Sequence, residues 1–189
     1  MPDLWYAAYG SNLLRSRFAL YVNGGRPAAG QRHHPGARDR RRPVSGPSLV
    51  VPGSMMFAGR SLRWRGGTSV LVPHAPDRAL VRLWGLSVSQ LADVQAQECG
   101  LEPGDVELDL DRLRSRGAQI VANRRYGRTV VLGEHRGRPI ATFVPLRRLE
   151  PTTPGPEYLA LVRGGLVECG LSVEDADRYL AARPGATGR

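Results

Sequence analysis

Trp5-Tyr6-Ala7-Ala8-Tyr9-Gly10-Ser11-Asn12-Leu13 (WYAAYGSNL) is the stretch on which the reading of this chain turns. Trp5 to Tyr9 is aromatic at both ends and small in the middle, the pattern of a short buried strand. Gly10 breaks it, Ser11 and Asn12 are cap residues, and Leu13 to Val22 reads as a helix. A glycine between strand and helix lets the backbone approach a ligand closely. The amides of Ser11, Asn12 and Leu13 would then stand unpaired at the positive end of a helix dipole, a place that binds carboxylate or phosphate. By local physics the same residues also make an ordinary capped helix start. The spacing is not G-x-S-x-G, so a hydrolase nucleophile elbow is not supported.

Outward from this stretch, strand signals dominate. Ser48 to Val51 and Ser54 to Ala58 are split by Pro52-Gly53. Thr68 to Pro73, Ala79 to Val88, Ala118 to Ala122, Arg128 to Glu134 and Pro139 to Pro145 follow, the last two joined by a tight turn at Arg136-Gly137. Helices are expected over Ser89 to Gly100, Leu108 to Arg116, Glu157 to Cys169 and Ser172 to Ala182. The word GLSV occurs at 85–88 and 170–173. It reads as two helix entries with the same capping chemistry rather than as a repeat. Consecutive strands without regular helical alternation argue against a doubly wound parallel sheet. The expected fold is α+β: a small mixed β-barrel with flanking helices, in one domain over 1–183, with a frayed tail at 184–189.

The chain has 189 residues, enough for one sizeable core and short for two. Its 41% hydrophobic and 23% charged residues exclude global disorder. Gly and Pro, at 23 and 15 residues, predict many turns and long loops. No run of about 20 apolar residues is present, so no transmembrane helix is expected. The first residues lack the basic and apolar regions of a secretory signal. Two cysteines do not make a disulfide scaffold. A cytoplasmic protein is the expectation. All 27 basic residues are Arg, against 17 acids, giving +10. Arginine without lysine, amid abundant Ala, Gly and Pro, suggests a GC-rich genome such as that of an actinobacterium. Residues 1–65 hold 11 Arg against Asp3 and Asp39 alone, and Gly24 to Pro47 reads as a long basic loop around Arg38, Arg40, Arg41 and Arg42. Such a loop could face a polyanion, or be a solvated face favoured by codon usage. No helix-turn-helix, RNA-recognition motif or zinc spacing accompanies the charge, so nucleic acid is not the expected partner.

Chemistry-bearing residues are few. In the helix Ser89 to Gly100, Leu91, Val94, Glu98 and Leu101 share one face, with Ala92, Ala96 and Cys99 beside it. Glu98 is thus a carboxylate aimed near the core at a helix C-terminus. Both burial and the dipole would raise its pKa toward the range useful for proton transfer. A fraying last turn would instead leave it in water. His33, His34, His74 and His135 have no metal-ligand spacing and read as surface or structural residues. Cys99 and Cys169 lack any evident base and read as small helix residues. Tyr158 opens a helix after Pro154-Gly155-Pro156; its hydroxyl could bind a ligand, or its ring could simply pack with a wet tip.

Taken together, WYAAYGSNL, the strand with Gly85 leading to a helix ending at Glu98, and Pro154-Gly155-Pro156-Glu157-Tyr158-Leu159 opening a helix with Gly164-Gly165 resemble the gamma-glutamylcyclotransferase-like superfamily, which includes AIG2-like proteins. The resemblance spans most of the chain, and the N-terminal motif is its specific part. It implies the family's small mixed β-barrel. It also implies intramolecular aminolysis: the α-amine of a γ-glutamyl group attacks its own γ-carbonyl, giving 5-oxoproline and a released amine or amino acid. By the resemblance Glu98 is the catalytic proton shuttle, and Tyr9, Gly10, Ser11, Asn12, Leu13 and Tyr158 bind a small γ-glutamyl substrate, with no metal and no cofactor. The family pattern Leu-Asp-x-x-Glu-Gly is here Val94-Gln95-Ala96-Gln97-Glu98-Cys99. The basic loop suggests a substrate carrying phosphate or an acidic carrier protein. Two rival readings are a catalytically altered barrel that binds an acidic partner through residues 26–42, and an amide hydrolase or deacetylase, which would need a metal.

Overall fold

The computed structural model describes residues 1–27 and 33–187. Residues 28–32 of the basic loop, Arg32 among them, and 188–189 of the tail lie outside the described residues. The fold is α+β: the described residues form a six-stranded mixed sheet curled as a half-barrel, a separate two-stranded ribbon and five α-helices. Its strands are β1 (Leu4–Ala8), β2 (Val44–Pro52), β3 (Ser54–Ser61), β4 (Gly66–Val72), β5 (Arg78–Leu86), β6 (Ala118–Ile120), β7 (Arg128–His135) and β8 (Arg138–Val144). Its helices are α1 (Arg15–Asn23), α2 (Val88–Glu98), α3 (Leu110–Arg116), α4 (Pro156–Glu168) and α5 (Val173–Ala181). The sheet order is β2-β5-β1-β8-β7-β6, and β3 pairs with β4. No helix among the described residues is long and apolar enough to cross a membrane.

The chain forms two compact units. The first comprises Met1–Ala7, Ser16–Pro47 and Leu83–Leu146. Two aromatic stacks run through its core: Phe18 of α1 stacks on Trp84 at 4.9 Å, and Tyr6 of β1 on Phe143 of β8 at 5.1 Å. β1 runs parallel to β8, with Trp5 opposite Ile140, and Thr142 Oγ1 donates to the Ala7 carbonyl at 2.7 Å. β7 and β8 form the expected hairpin, whose turn residues Arg136 and Gly137 both take positive φ, 51° and 69°, as a two-residue turn of this kind requires. A satellite cluster of Ala92, Ala96 and Val106 is closed by Leu101, Leu108 and Val121, so the small face of α2 is a packing face.

The second unit comprises Ala8–Arg15, Ser48–Arg82 and Arg147–Arg189. It holds the ribbon β3–β4, paired from Ser54↔Val72 to Ser61↔Gly66 with a register shift after Ala58, together with α4 and α5. Both GLSV words do what their chemistry predicts. Ser87 accepts from the Gln90 amide while Gln90 reaches back to the Ser87 amide, a full capping box, and Ser172 accepts from the Asp175 amide at 3.0 Å.

Three expectations need correction. The helix expected from Leu13 begins at Arg15; Ser11–Leu13 form a single 3-10 turn and Leu14 is extended at ψ 122°. The basic loop expected through Pro47 ends at Val44, where β2 starts, because prolines are tolerated on the sheet's outermost strand. The tail does not fray from Pro184, whose carbonyl accepts the Phe57 amide at 2.9 Å.

Candidate functional site

Tyr9, Gly10, Ser11, Asn12, Leu13 and Tyr158 all belong to the second unit, where the turn after β1 is gripped on every side described. Gly10 lies against β4 and α4: a Cβ there would stand 2.9 Å from Ser69 Cβ and 3.1 Å from Tyr158 Oη. No larger residue fits without moving backbone or ring. Tyr158 is buried, and its hydroxyl accepts from the Ser69 amide at 3.0 Å, so this oxygen ties α4 to β4. The Trp64 ring packs on the Tyr158 ring at 5.5 Å and Phe57 meets it edge-on at 6.5 Å.

The far end of the turn is held by charge. Arg82 Nη1 donates to the Leu13 carbonyl at 2.8 Å and to Glu168 Oε2 at 2.6 Å, and the same carboxylate oxygen accepts the Arg15 amide at 3.0 Å. α4 comes closest at Gly165, where a Cβ would overlap Leu13 Cβ and stand 2.7 Å from the Leu14 amide nitrogen. Within the turn, the Leu13 amide donates to the Gly10 carbonyl at 2.9 Å. That corrects the expectation of three unpaired amides: Leu13 closes the turn with its own donor. Tyr9, Ser11, Asn12 and Leu13 are all buried.

Glu98 belongs to the first unit and ends α2, half-buried. Its partner is one the sequence reading missed. Tyr21 of α1 shares a side-chain hydrogen bond with Glu98. Behind Tyr21 stands Arg17, one helical turn earlier, whose Nη2 donates to Tyr21 Oη at 3.3 Å and whose Nη1 lies 2.8 Å from His34 Nε2. The His34 and Tyr21 rings pack at 4.7 Å. Arg17, Tyr21 and His34 are all buried. Burial pushes the Tyr21 phenol well above its ordinary range, and the negative charge of Glu98 adds to this against the opposing pull of Arg17. Cys99, next to Glu98, is pushed up from 9.0 to about 11, first by burial and then by the Glu98 charge.

The other departures from the expected motif have structural jobs. Gln95 is fully buried; its Nε2 donates to the Tyr126 carbonyl at 2.8 Å and its Oε1 accepts from Thr129 Oγ1 at 2.7 Å. An aspartate could not supply the first bond. Cys99 caps α2 in a right-handed conformation and the left-handed residue is Gly100, so position 99 does not require glycine. The basic run is partly self-neutralised within its unit: Arg38 pairs with the buried Asp93, and Arg41 with Asp39, whose carboxyl this holds down at about 2. Among the described residues no group of three or more His, Cys, Asp or Glu side chains could hold a metal ion.

An i,i+4 Arg–Tyr pair on the helix expected from Leu13 is the one signal that could have pointed to Arg17 and Tyr21. His34 gives none, because it reaches Arg17 from a loop.

No protein-family model matches the chain. Among curated proteins it is similar to Histone deacetylase 5 of Arabidopsis thaliana, 30% identical over 204 residues that take in 94% of this chain. The chain spans 30% of the length of that relative. Among solved structures it is similar to an uncharacterised protein from Homo sapiens, with TM-score 0.60 and 19% identity, covering 98% of this chain and 92% of that one. A gamma-glutamyl cyclotransferase gives TM-score 0.59 and 19% identity over 98% of this chain and 92% of that one. YkqA from Bacillus subtilis gives 0.53 and 17% over 96% of this chain and 55% of that one. The chain therefore has the fold of gamma-glutamyl cyclotransferase.

Proposed function

We propose that this chain is an enzyme of the gamma-glutamylcyclotransferase-like superfamily, of an actinobacterial type, working in the cytoplasm on a small γ-glutamyl substrate. The observation that carries the reading is Gly10. In a chain with this fold, WYAAYGSNL forms a strand and a turn packed so closely against Ser69 and Tyr158 that residue 10 has no room for a side chain. Backbone polar groups of the Gly10–Leu13 turn would hold the γ-glutamyl group, and the ring of Tyr158 braces that turn.

The reaction is a transfer within one bound molecule. The α-amino nitrogen forms a bond to the γ-carbonyl carbon, and the bond from that carbon to the leaving nitrogen breaks. Of the two protons that the attacking ammonium loses on becoming an amide N–H, Glu98 takes one and returns it to the leaving nitrogen, and the other is bound by the released amine, which departs as its ammonium. The products are 5-oxoproline and the free amine or amino acid. Having both reacting groups on one molecule removes the entropic cost of bringing them together. The test is 5-oxoproline release from a panel of γ-glutamyl amino acids, γ-glutamyl amines and a γ-glutamyl carrier thioester mimic, with wild type beside Glu98→Gln. Release that disappears in the folded variant supports both reaction and shuttle; full turnover in Glu98→Gln overturns the assignment.

The similarity to part of Histone deacetylase 5 favours a second reading, an amide hydrolase. Chelator-sensitive release of acetate from an acetyl-lysine peptide, with no 5-oxoproline from any panel member, would replace the first reading by this one. A catalytically altered domain that binds an acidic partner through its basic loop would show affinity for polyanions that falls steeply with salt. That affinity would depend most on Arg40 and Arg42, since Arg38 and Arg41 already have carboxylates beside them.

A further inference from the structure

The buried chain His34–Arg17–Tyr21 ends on Glu98, and nothing in the proposed reaction requires it. Arg17 is a permanent cation with donors only. Its contact at 2.8 Å with His34 Nε2 therefore makes that nitrogen an acceptor, so His34 is neutral with its proton on Nδ1. Its second arm donates to Tyr21 Oη. The phenol oxygen thus accepts from a cation, and its single proton is left for the carboxylate. The backbone locks the same junction: Gln97 Nε2 donates to the Tyr21 carbonyl at 2.8 Å, tying the last turn of α2 to α1.

We propose that Tyr21 is a positioning residue for Glu98: held by Arg17, it presents its phenol proton to the carboxylate, fixing the carboxylate's orientation and coupling it to a buried cation. The inference rests on the reading of Glu98 as proton shuttle. Its physical need is clear. A carboxylate at a helix C-terminus faces the negative end of the dipole, and a long glutamate side chain has rotamer freedom that a proton shuttle must lose. A donor backed by a positive charge answers both problems at once. The charged or titratable groups that act on the pair or its neighbour Cys99 include Arg17 on α1, His34 on the following loop, Tyr6 on β1, and Arg124, which faces Cys99.

The experiment is a titration of the Glu98 side-chain carboxyl by carbon-13 NMR in wild type and Tyr21→Phe, run beside the pH dependence of 5-oxoproline release. Removing the donor stabilises the ionised form less, so the Glu98 midpoint is expected to rise by about one unit, a tenfold change in proton affinity. The acid limb of kcat/KM moves the same way. The value of kcat falls about tenfold or more while KM stays close to wild type, because Tyr21 acts through Glu98 and not on substrate. A Glu98 midpoint and acid limb unmoved by Tyr21→Phe overturn the proposal. If wild type releases no 5-oxoproline, the functional reading fails on its own, and the carboxyl titration still decides whether Tyr21 tunes Glu98. Should Tyr21→Phe not fold, 3-fluorotyrosine placed at position 21 keeps the shape and strengthens the donor; the midpoint must then fall, and an unchanged midpoint overturns the proposal equally.

Discussion

The Gly10–Leu14 turn of the second unit and the Tyr21–Glu98 cluster of the first are fixed by opposite means. The turn is held largely by the absence of atoms: Gly10 and Gly165 leave room for backbone and ring to touch. The cluster is held by charged and polar groups with a partner at each step. The turn should therefore break when atoms are added and the cluster when they are taken away. This makes the pair separable by mutation.

The sharpest test of that contrast uses two adjacent glycines of α4. Alanine is ordinarily the better helix former, by about 1 kcal/mol. At Gly164 a Cβ would meet only Leu14 Cδ1 at 3.4 Å, so Gly164→Ala should be neutral or up to about 1 kcal/mol more stable. At Gly165 the added carbon runs into Leu13 and the Leu14 amide nitrogen, which cannot rotate away. Gly165→Ala should cost about 3 kcal/mol, a fall of about 10 °C in Tm for a chain of this size. Two thermal melts decide it, and equal melting temperatures would show the turn to be softer than its contacts imply.

Arg82→Met comes next, and it marks where the turn does depend on charge. The guanidinium is nearly buried, and its loss leaves the Leu13 carbonyl and Glu168 without their shared donor. Glu168 is 36% exposed, so water recovers part of the loss. About 2 kcal/mol is expected by denaturant titration. Because Leu13 is displaced too, KM for the γ-glutamyl substrate should rise more than kcat falls. The reverse pattern, kcat falling at constant KM, belongs to Tyr21→Phe.

The same contrast explains how much could be read from sequence. The turn was legible because its determinants are neighbours in the chain: an aromatic strand, then Gly10, Ser11 and Asn12. The same holds for the serine caps at 87 and 172 and for the Arg136-Gly137 hairpin. What sequence missed in the turn came from long range. Leu13 was expected to offer its amide, and only the approach of Arg82 and Gly165 shows why the helix is delayed to Arg15. The cluster was half legible. Periodicity along α2 put Glu98 beside the core, but Tyr21 sits 77 positions earlier on a helix of its own, and no local rule joins the two. The Arg-rich run misled for a similar reason. A count of charge cannot show that Arg38 is spent on Asp93, 55 positions away. Gln95, a departure from the expected aspartate, makes sense once Tyr126 and Thr129 are beside it.

The smallest effect gives the most direct view of the cluster's charge. Cys99 has its pKa raised from 9.0 to about 11, by burial and then by the adjacent Glu98. The folded value lies above the unfolded one, so the neutral thiol's contribution to stability is complete below pH 9 and is lost as the pH rises through 9 toward 11. At pH 8 the thiolate fraction is about a hundredfold below that of an ordinary cysteine, and native Cys99 should alkylate correspondingly slowly. Replacing Glu98 with Gln removes the second cause and leaves the first. Alkylation should then quicken about two- to fivefold while staying far below the unfolded rate. An unchanged rate would mean that Glu98 carries no charge at that pH, and a carboxylate already protonated at pH 8 could not take a proton from the substrate ammonium.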